Sequence, residues 1–284
     1  MTEEALRPAW SEPFRAEAIQ QLVATGPIAE ITPEWAYGGS KGHGVRVAIV
    51  DSGVEYDHPW LSGCVRGGVI VEYDADAENS IRYEPDDPPG DVAGHGTACA
   101  GIIHAIAPEA EIYSVRVLGQ DMKGRAIQFA GGLDWAIENG MQVVNLSLST
   151  ARQEYYGLFH DLADQAYFKN VNLVSAVNNV PMASYPSQYS SVISVAAYDG
   201  HDPFTYYYNP APPVEFGAPG IDVEVAWNHK QYLTSTGNSF AAAHITGIVA
   251  LIRAKHPELT PFQVKTVLLS CAANMRRVAP EGPG

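Results

Sequence analysis

Five short, mainly apolar runs punctuate the chain, each bounded by glycine, proline or polar turn residues: 45–50 (VRVAIV), 111–117 (EIYSVRV), 143–148 (VVNLSL), 171–176 (VNLVSA) and 191–197 (SVISVAA). Runs of this length predict strands buried on both faces. Between them the spacing of apolar positions predicts helices over 94–106, 125–139 and 155–169, the second closed by Gly140 at its C-cap. A long apolar helix begins at Gly237. A last one opens at Thr260-Pro261, with threonine as N-cap and proline in the first turn. Residues 1–40 have no long periodic pattern and read as an N-terminal arm, 41–275 as one domain and 276–284 as a tail. Strand–helix alternation predicts a parallel sheet covered by helices on both faces. In such sheets, functional residues gather beyond the carboxyl ends of the strands. Asp51 follows the first run directly, and Asn178 lies just past the fourth.

Composition narrows the function. The chain has 284 residues, enough for one large core, with 46% hydrophobic and 17% charged positions. Its formal charge of −15, from 32 acidic and 17 basic residues, repels phosphate backbones and argues against a nucleic-acid partner. The first residues lack a basic start followed by an apolar stretch, and no apolar run spans a bilayer, so no membrane partner is expected. Cys64, Cys99 and Cys271 are odd in number and widely spaced, which fits reduced thiols and a cytoplasmic setting.

Three segments carry candidate chemistry. Asp51 ends the buried run AIVD before a tight Ser-Gly turn; His95 opens the small-residue stretch GHGTACAG; Ser239 opens GNSFAAAH. A serine hydroxyl needs a base within hydrogen-bond reach to act as a nucleophile, and histidine titrates near neutrality. A buried aspartate holds the imidazole in one tautomer and stabilises the imidazolium. A serine at a helix N-terminus meets backbone N–H groups and the positive end of the helix dipole, which favour a developing oxyanion.

These segments resemble the subtilisin-like serine peptidases, whose chain order is Asp, His, Ser. AIVDSGVEYDHPWL, GHGTACAGII, IAPEAEIYSVRVLG, WAIENGMQVVNLSLS, YPSQYSSVISVAA and GNSFAAAHITGIVALI all look like family blocks in the family's order, together covering residues 42–272. The resemblance implies a three-layer α/β/α sandwich with a mainly parallel central sheet. It also implies a serine endopeptidase with Ser239 as nucleophile, His95 as base and Asp51 orienting the base. The matching oxyanion donor is Asn178, with Asn179 as fallback, and Tyr185-Pro186 is expected to be cis. An extended peptide or protein substrate would lie between Gly119, Met122 and Gly124 on one side and Ser147, Leu148 and Ser149 on the other.

The chain also departs from the family. Asn238 and Ala243 stand where relatives carry threonine and proline. The pocket for the side chain before the scissile bond, glycine-rich in relatives, here matches Ser149, Thr150, Val177 and Ser184, so a restricted preference for small or polar residues is expected. The helix after His95 runs straight into Ala107-Pro108, omitting a loop that holds calcium in many relatives. The acidic clusters at 74–78 and 84–91 read as solvated loop charge without calcium-ligand spacing, so no cofactor is expected, with a calcium ion as the alternative. Cys99 reads as a buried small hydrophobe and His244 as a packed helix histidine. A narrow pocket suggests a selective maturation peptidase that removes leader peptides, and residues 1–25, with Trp10 and Phe14, suggest a segment that lies across the cleft. Two other readings use the same residues: a peptide cyclase or transpeptidase resolving the acyl-enzyme with an amine, and a silent peptide-binding module.

Overall fold

The computed structural model describes residues 31–275 apart from 78, 79 and 212. The segment expected to be an arm is therefore described only from its end. There Thr32 accepts the N–H of Trp35 and caps a short helix, α1 (Pro33–Tyr37). Trp35 stacks on His256 with ring centroids 4.2 Å apart, and Lys255 Nζ donates to the carbonyls of Glu34 and Gly38 at 2.6 and 2.8 Å. Residues 33–40 thus pack on the domain. The proposed cleft-blocking stretch 1–25 and the tail lie outside the described residues.

The chain continues through β1 (Arg46–Asp51), β2 (Val65–Tyr73), β3 (Ile81–Pro85), α2 (His95–Ile106), β4 (Glu111–Arg116), α3 (Ala126–Glu138), β5 (Val143–Leu146) and α4 (Tyr156–Phe168). It ends with β6 (Asn172–Ala176), β7 (Ile193–Tyr198), β8 (Tyr207–Tyr208), β9 (Phe216–Pro219), β10 (Val223–Trp227), β11 (Gln231–Ser235), α5 (Asn238–Lys255) and α6 (Pro261–Cys271). Nine strands form one sheet in the order β3-β2-β4-β1-β5-β6-β7-β9-β8. Every pairing from β2 to β9 is parallel, and only the two edge pairs are antiparallel. β10 and β11 form a separate hairpin.

Burial explains which strands the pattern revealed. β5 and β6 are buried along their whole length, and β1 at all but its first residue, because helices cover both faces. On one face α3 and α4 pack over the sheet, with Leu133, Ala136, Phe159 and Ala166 buried and the Phe129 and Phe159 rings 4.6 Å apart. On the other, α5 lies across β5, β6, β7 and β9, with α2 beside it. The result is a three-layer α/β/α sandwich. The unanticipated strands are peripheral. β3 has no buried residue, three of its five being exposed, and its Arg82 bridges Glu72 and Glu84 at 2.7 and 3.0 Å, a charged edge that discourages further strand pairing.

Register places the site. Asp51 pairs with Arg116, Val50 with Leu146, and Leu146 with Ser175, so the carboxyl ends of β1, β5 and β6 lie side by side. Residues 147 and 148, read as strand, instead leave the sheet at that rim. Among the described residues no helix is long and apolar enough to cross a membrane. Leu133 is fully buried between α3 and the sheet. Leu133→Ala should lower unfolding free energy by about 2–5 kcal/mol in urea titration, with the higher figure if the cavity fails to collapse.

Candidate active site

β1 delivers Asp51 to the rim with no solvent exposure. One carboxylate oxygen accepts the N–H of Ser52 at 2.7 Å, and both lie 2.9 Å from His95 Nδ1. With a carboxylate as acceptor, Nδ1 must carry the proton, so Nε2 is the basic nitrogen. His95 is the first residue of α2, and its side chain is only 16% exposed. Two glycines allow this approach of backbone on backbone. A Cβ on Gly53 would fall 2.0 Å from the carbonyl oxygen of Gly90, and one on Gly96 2.0 Å from that of Gly53. Gly53 also has φ +105°, a conformation other residues rarely adopt.

Asp91, four residues before the histidine, ties these segments together. Its Oδ1 accepts from Ser52 Oγ and from the N–H groups of Ala93 and Gly94 at 2.7–2.9 Å. Its Oδ2 accepts the N–H and hydroxyl of Thr97 at 2.9 and 2.6 Å. The carboxylate therefore satisfies a free N–H in the first turn of α2 and complements its dipole. Reading the 84–91 cluster as solvated loop charge is corrected here for two members. Asp91 is this hydrogen-bonded brace, and Asp86 is buried with Arg116 3.8 Å away. The missed signal was an acidic residue just ahead of a predicted helix start.

Burial disfavours the charged imidazole of His95, but the charge and hydrogen bond of Asp51, with Asp91 adding to them, prevail and hold its pKa above the ordinary 6.5.

Ser239 lies in the first turn of α5, 8% exposed, its hydroxyl donating to the carbonyl of Ser147 at 3.3 Å. Asn238 secures this turn. Its side chain accepts from Ala197 N–H at 2.8 Å and donates to the carbonyls of Val177 and Asn178 at 3.1 and 3.3 Å. The departure at that position thus binds the serine's turn to the ends of β6 and β7. Beneath, the Thr246 hydroxyl meets Asn145 Oδ1 at 3.0 Å and Asn145 Nδ2 reaches Ser147 Oγ at 2.8 Å. These buried supports carry no motif of their own.

A cleft of about 830 Å³ opens over these groups. His95, Ser239, Asn178, Met122, Gly124, Ser147, Leu148, Ser149, Thr150 and Val177 all line it. Asn178 Oδ1 accepts the N–H of Val180 at 2.9 Å, leaving its amide Nδ2 for the cleft; Asn179 instead uses its oxygen on Asn238 N–H. Two expected pocket residues are elsewhere. Gly119 is spent in a turn, its N–H on the Lys123 carbonyl at 2.9 Å and its carbonyl on Met122 N–H at 3.0 Å. Ser184 is buried behind Val177, 3.0 Å from Ser187 Oγ, and lines a neighbouring cavity. The Tyr185–Pro186 bond is cis, and Tyr185 exchanges two backbone hydrogen bonds with Thr150.

Among the described residues, only Asp51, His95 and Cys99 bring three potential metal-ligating atoms within 4.8 Å of one another. Both Asp51 oxygens are committed to His95, and burial with the nearby Asp51 charge pushes the Cys99 thiol well above its ordinary value, so it stays protonated. That set suits a proton relay, not a cation. His244 bonds the carbonyl of Phe240 at 2.9 Å within α5, and burial holds its pKa low, as a packed neutral histidine.

The family model described as "Subtilase family" matches residues 42–282. The chain is 33% identical over 260 residues to the "Thermostable alkaline protease" of Halalkalibacterium halodurans, covering 87% of this chain and 67% of that protein. It is 32% identical over 248 residues to "Subtilisin BL" of Lederbergia lenta, covering 84% and 86%. A solved structure titled "S41 Psychrophilic Protease" superposes with a TM-score of 0.68 at 26% identity, covering 84% and 88% of the two chains.

Four outcomes follow from the geometry. If His95 must be neutral to act, kcat/KM on a peptide ester rises with pH, with its acid limb centred above 6.5; a limb below that value contradicts the arrangement. Asp51→Asn should reduce turnover about 10⁴-fold. The raised pKa also means that the pairing's contribution to stability is full below 6.5 and fades as pH climbs through the raised value. Asp91→Ala strands its donors and should cost about 1–3 kcal/mol, read as a lower Tm by calorimetry; an unchanged Tm would show that water replaces the carboxylate.

Proposed function

The chain belongs to the subtilase family and is a serine endopeptidase, and from that premise we propose that Ser239, His95, Asp51 and Asn178 carry the reaction. The carrying observation is the buried Asp51–His95 pair opening onto the cleft that Ser239 and Asn178 line. Rotation about its side-chain bond turns the Ser239 hydroxyl from the Ser147 carbonyl towards His95. Its oxygen attacks the peptide carbonyl carbon while the proton passes to Nε2. Negative charge grows on the carbonyl oxygen, where Asn178 Nδ2 and the Ser239 N–H supply donors. The C–N bond then breaks, the amine leaves with the proton from His95, and the acyl group remains on Ser239. Water, deprotonated by His95, attacks the ester; the acyl C–O bond to Ser239 breaks, the acyl group leaves as the carboxylic acid, and His95 returns the proton to the serine oxygen.

The substrate segment upstream of the scissile bond is proposed to extend between 122–124 and 147–149. The side chain next to that bond meets Val177, Ser149 and Thr150, which favours small or polar residues and a selective, maturation-type peptidase over a digestive one. Buried thiols at Cys64 and Cys99 support a reducing, cytoplasmic setting.

Proteome-derived peptides incubated with the enzyme and with Ser239→Ala provide the test. Linear fragments cut after small or polar residues are expected from the wild type only. Efficient cleavage after Phe or Leu would defeat the selectivity, and equal products from both proteins, or no fluorophosphonate labelling of the wild type, would defeat the mechanism.

A further inference from the structure

The walls of the cleft carry a charge opposite to that of the molecule. The chain has 32 acidic and 17 basic residues, yet Lys123, Arg125 and Arg152 line the cleft and, among the described residues, no aspartate or glutamate does. With acids outnumbering bases almost two to one, three cations and no carboxylate on one concave surface run against the composition. Lys123 and Arg152 are partly engaged from outside the cleft, by Asp121 at 3.5 Å and Glu154 at 2.9 Å, with both pairs well exposed. Exposed pairs of this kind are weak and exchange readily.

Arg125 differs from the other two. Its guanidinium carbon lies 4.2 Å from the centre of the Tyr73 ring, and among the described residues no carboxylate forms an ion pair with it. Stacking uses the face of the guanidinium and leaves its N–H edge free, the edge that binds a carboxylate through two parallel hydrogen bonds. Tyr73, Phe129 and Tyr155 also line the cleft, and a charge bound beside Arg125 is shielded on the side of the Tyr73 ring. Arg152 lies over Tyr155 at 5.7 Å. Along the chain, Arg125 directly follows 122–124 and Arg152 lies two residues past Thr150, just beyond the two segments proposed to flank the substrate.

We propose that this end of the cleft is a receptor for a carboxylate side chain, Asp or Glu, carried by the substrate upstream of its scissile bond, with Arg125 as the binding group and Arg152 reinforcing the field. The inference rests on the peptidase reading and names its substrate class: peptides with an acidic residue before a small or polar one at the cut. It also reconciles an acidic protein with an acidic substrate, since the cleft attracts locally what the surface repels.

Internally quenched peptides in Glu/Gln pairs, varied at the second to fifth positions before the scissile bond, provide the test. At one position Glu should exceed Gln about tenfold in kcat/KM, and the ratio should shrink at high ionic strength. Arg125→Gln should bring that ratio close to one, and Arg125→Glu should invert it. Fluorophosphonate labelling of each variant reports that the site is still folded. Equal cleavage of Glu and Gln peptides at every position overturns the inference while leaving the peptidase intact. A ratio that survives both Arg125→Gln and Arg152→Gln overturns the assignment to these residues. If no peptide is cut and the wild type is not labelled, the peptidase reading fails first and takes the inference with it.

Discussion

A carboxylate fully withdrawn from water is tolerable only if its charge is met by donors and an opposing charge, and Asp51 is in that position. Its partners are the N–H of Ser52 and Nδ1 of His95, contributed by the next residue and by the start of a helix 44 positions on. Much of the local structure serves to hold that pairing. The glycines at 53 and 96 permit the approach, and Asp91 fastens the turn after β1 to the first turn of α2. Asp91 and Asp51 also act on the same imidazole, so one set of groups fixes both its position and its proton affinity.

The hydrophobic layers make this precision possible. β1, β5 and β6 carry almost uninterrupted apolar residues because both faces are covered, and their parallel register brings Asp51, Ser147 and Val177 to one rim. α5 begins at that rim and runs back along the sheet, so burial of its apolar length anchors Ser239 at its first turn. Placement of Ser239 is thus a consequence of core packing: the proposed nucleophile sits where the helix must start.

Outside this rigid rim the cleft is built from segments with more freedom to vary, including the 119–124 turn and the residues following β5. Their side chains determine what enters. Val177 lines the cleft together with Ser239, and Arg125, stacked on Tyr73, brings positive charge to its wall. In the proposed reading the machinery and the selectivity belong to different layers of the molecule, one held by buried hydrogen bonds and the other by side chains at the cleft surface.

The five central strands, the main helices and the Asp51, His95 and Ser239 segments were legible in the amino-acid sequence, because each is encoded locally. A buried strand must be apolar throughout, a helix must show its period and caps, and close backbone approach requires glycine. The edge strands were not legible, since β3 is half exposed and its Ile-Arg-Tyr-Glu-Pro resembles a charged loop until β2 is beside it. For the same reason the acidic run 84–91 concealed Asp86 and Asp91. A carboxylate's role depends on which distant donors the fold brings to it, and those came from Ser52, Thr97 and Arg116. Only the tertiary structure placed Ser184 in a neighbouring cavity, spent Gly119 in a turn and brought Arg125 and Arg152 to the wall of one cleft. Local chemistry is written in consecutive residues, whereas the direction in which a surface side chain faces is set by packing between segments far apart in the chain.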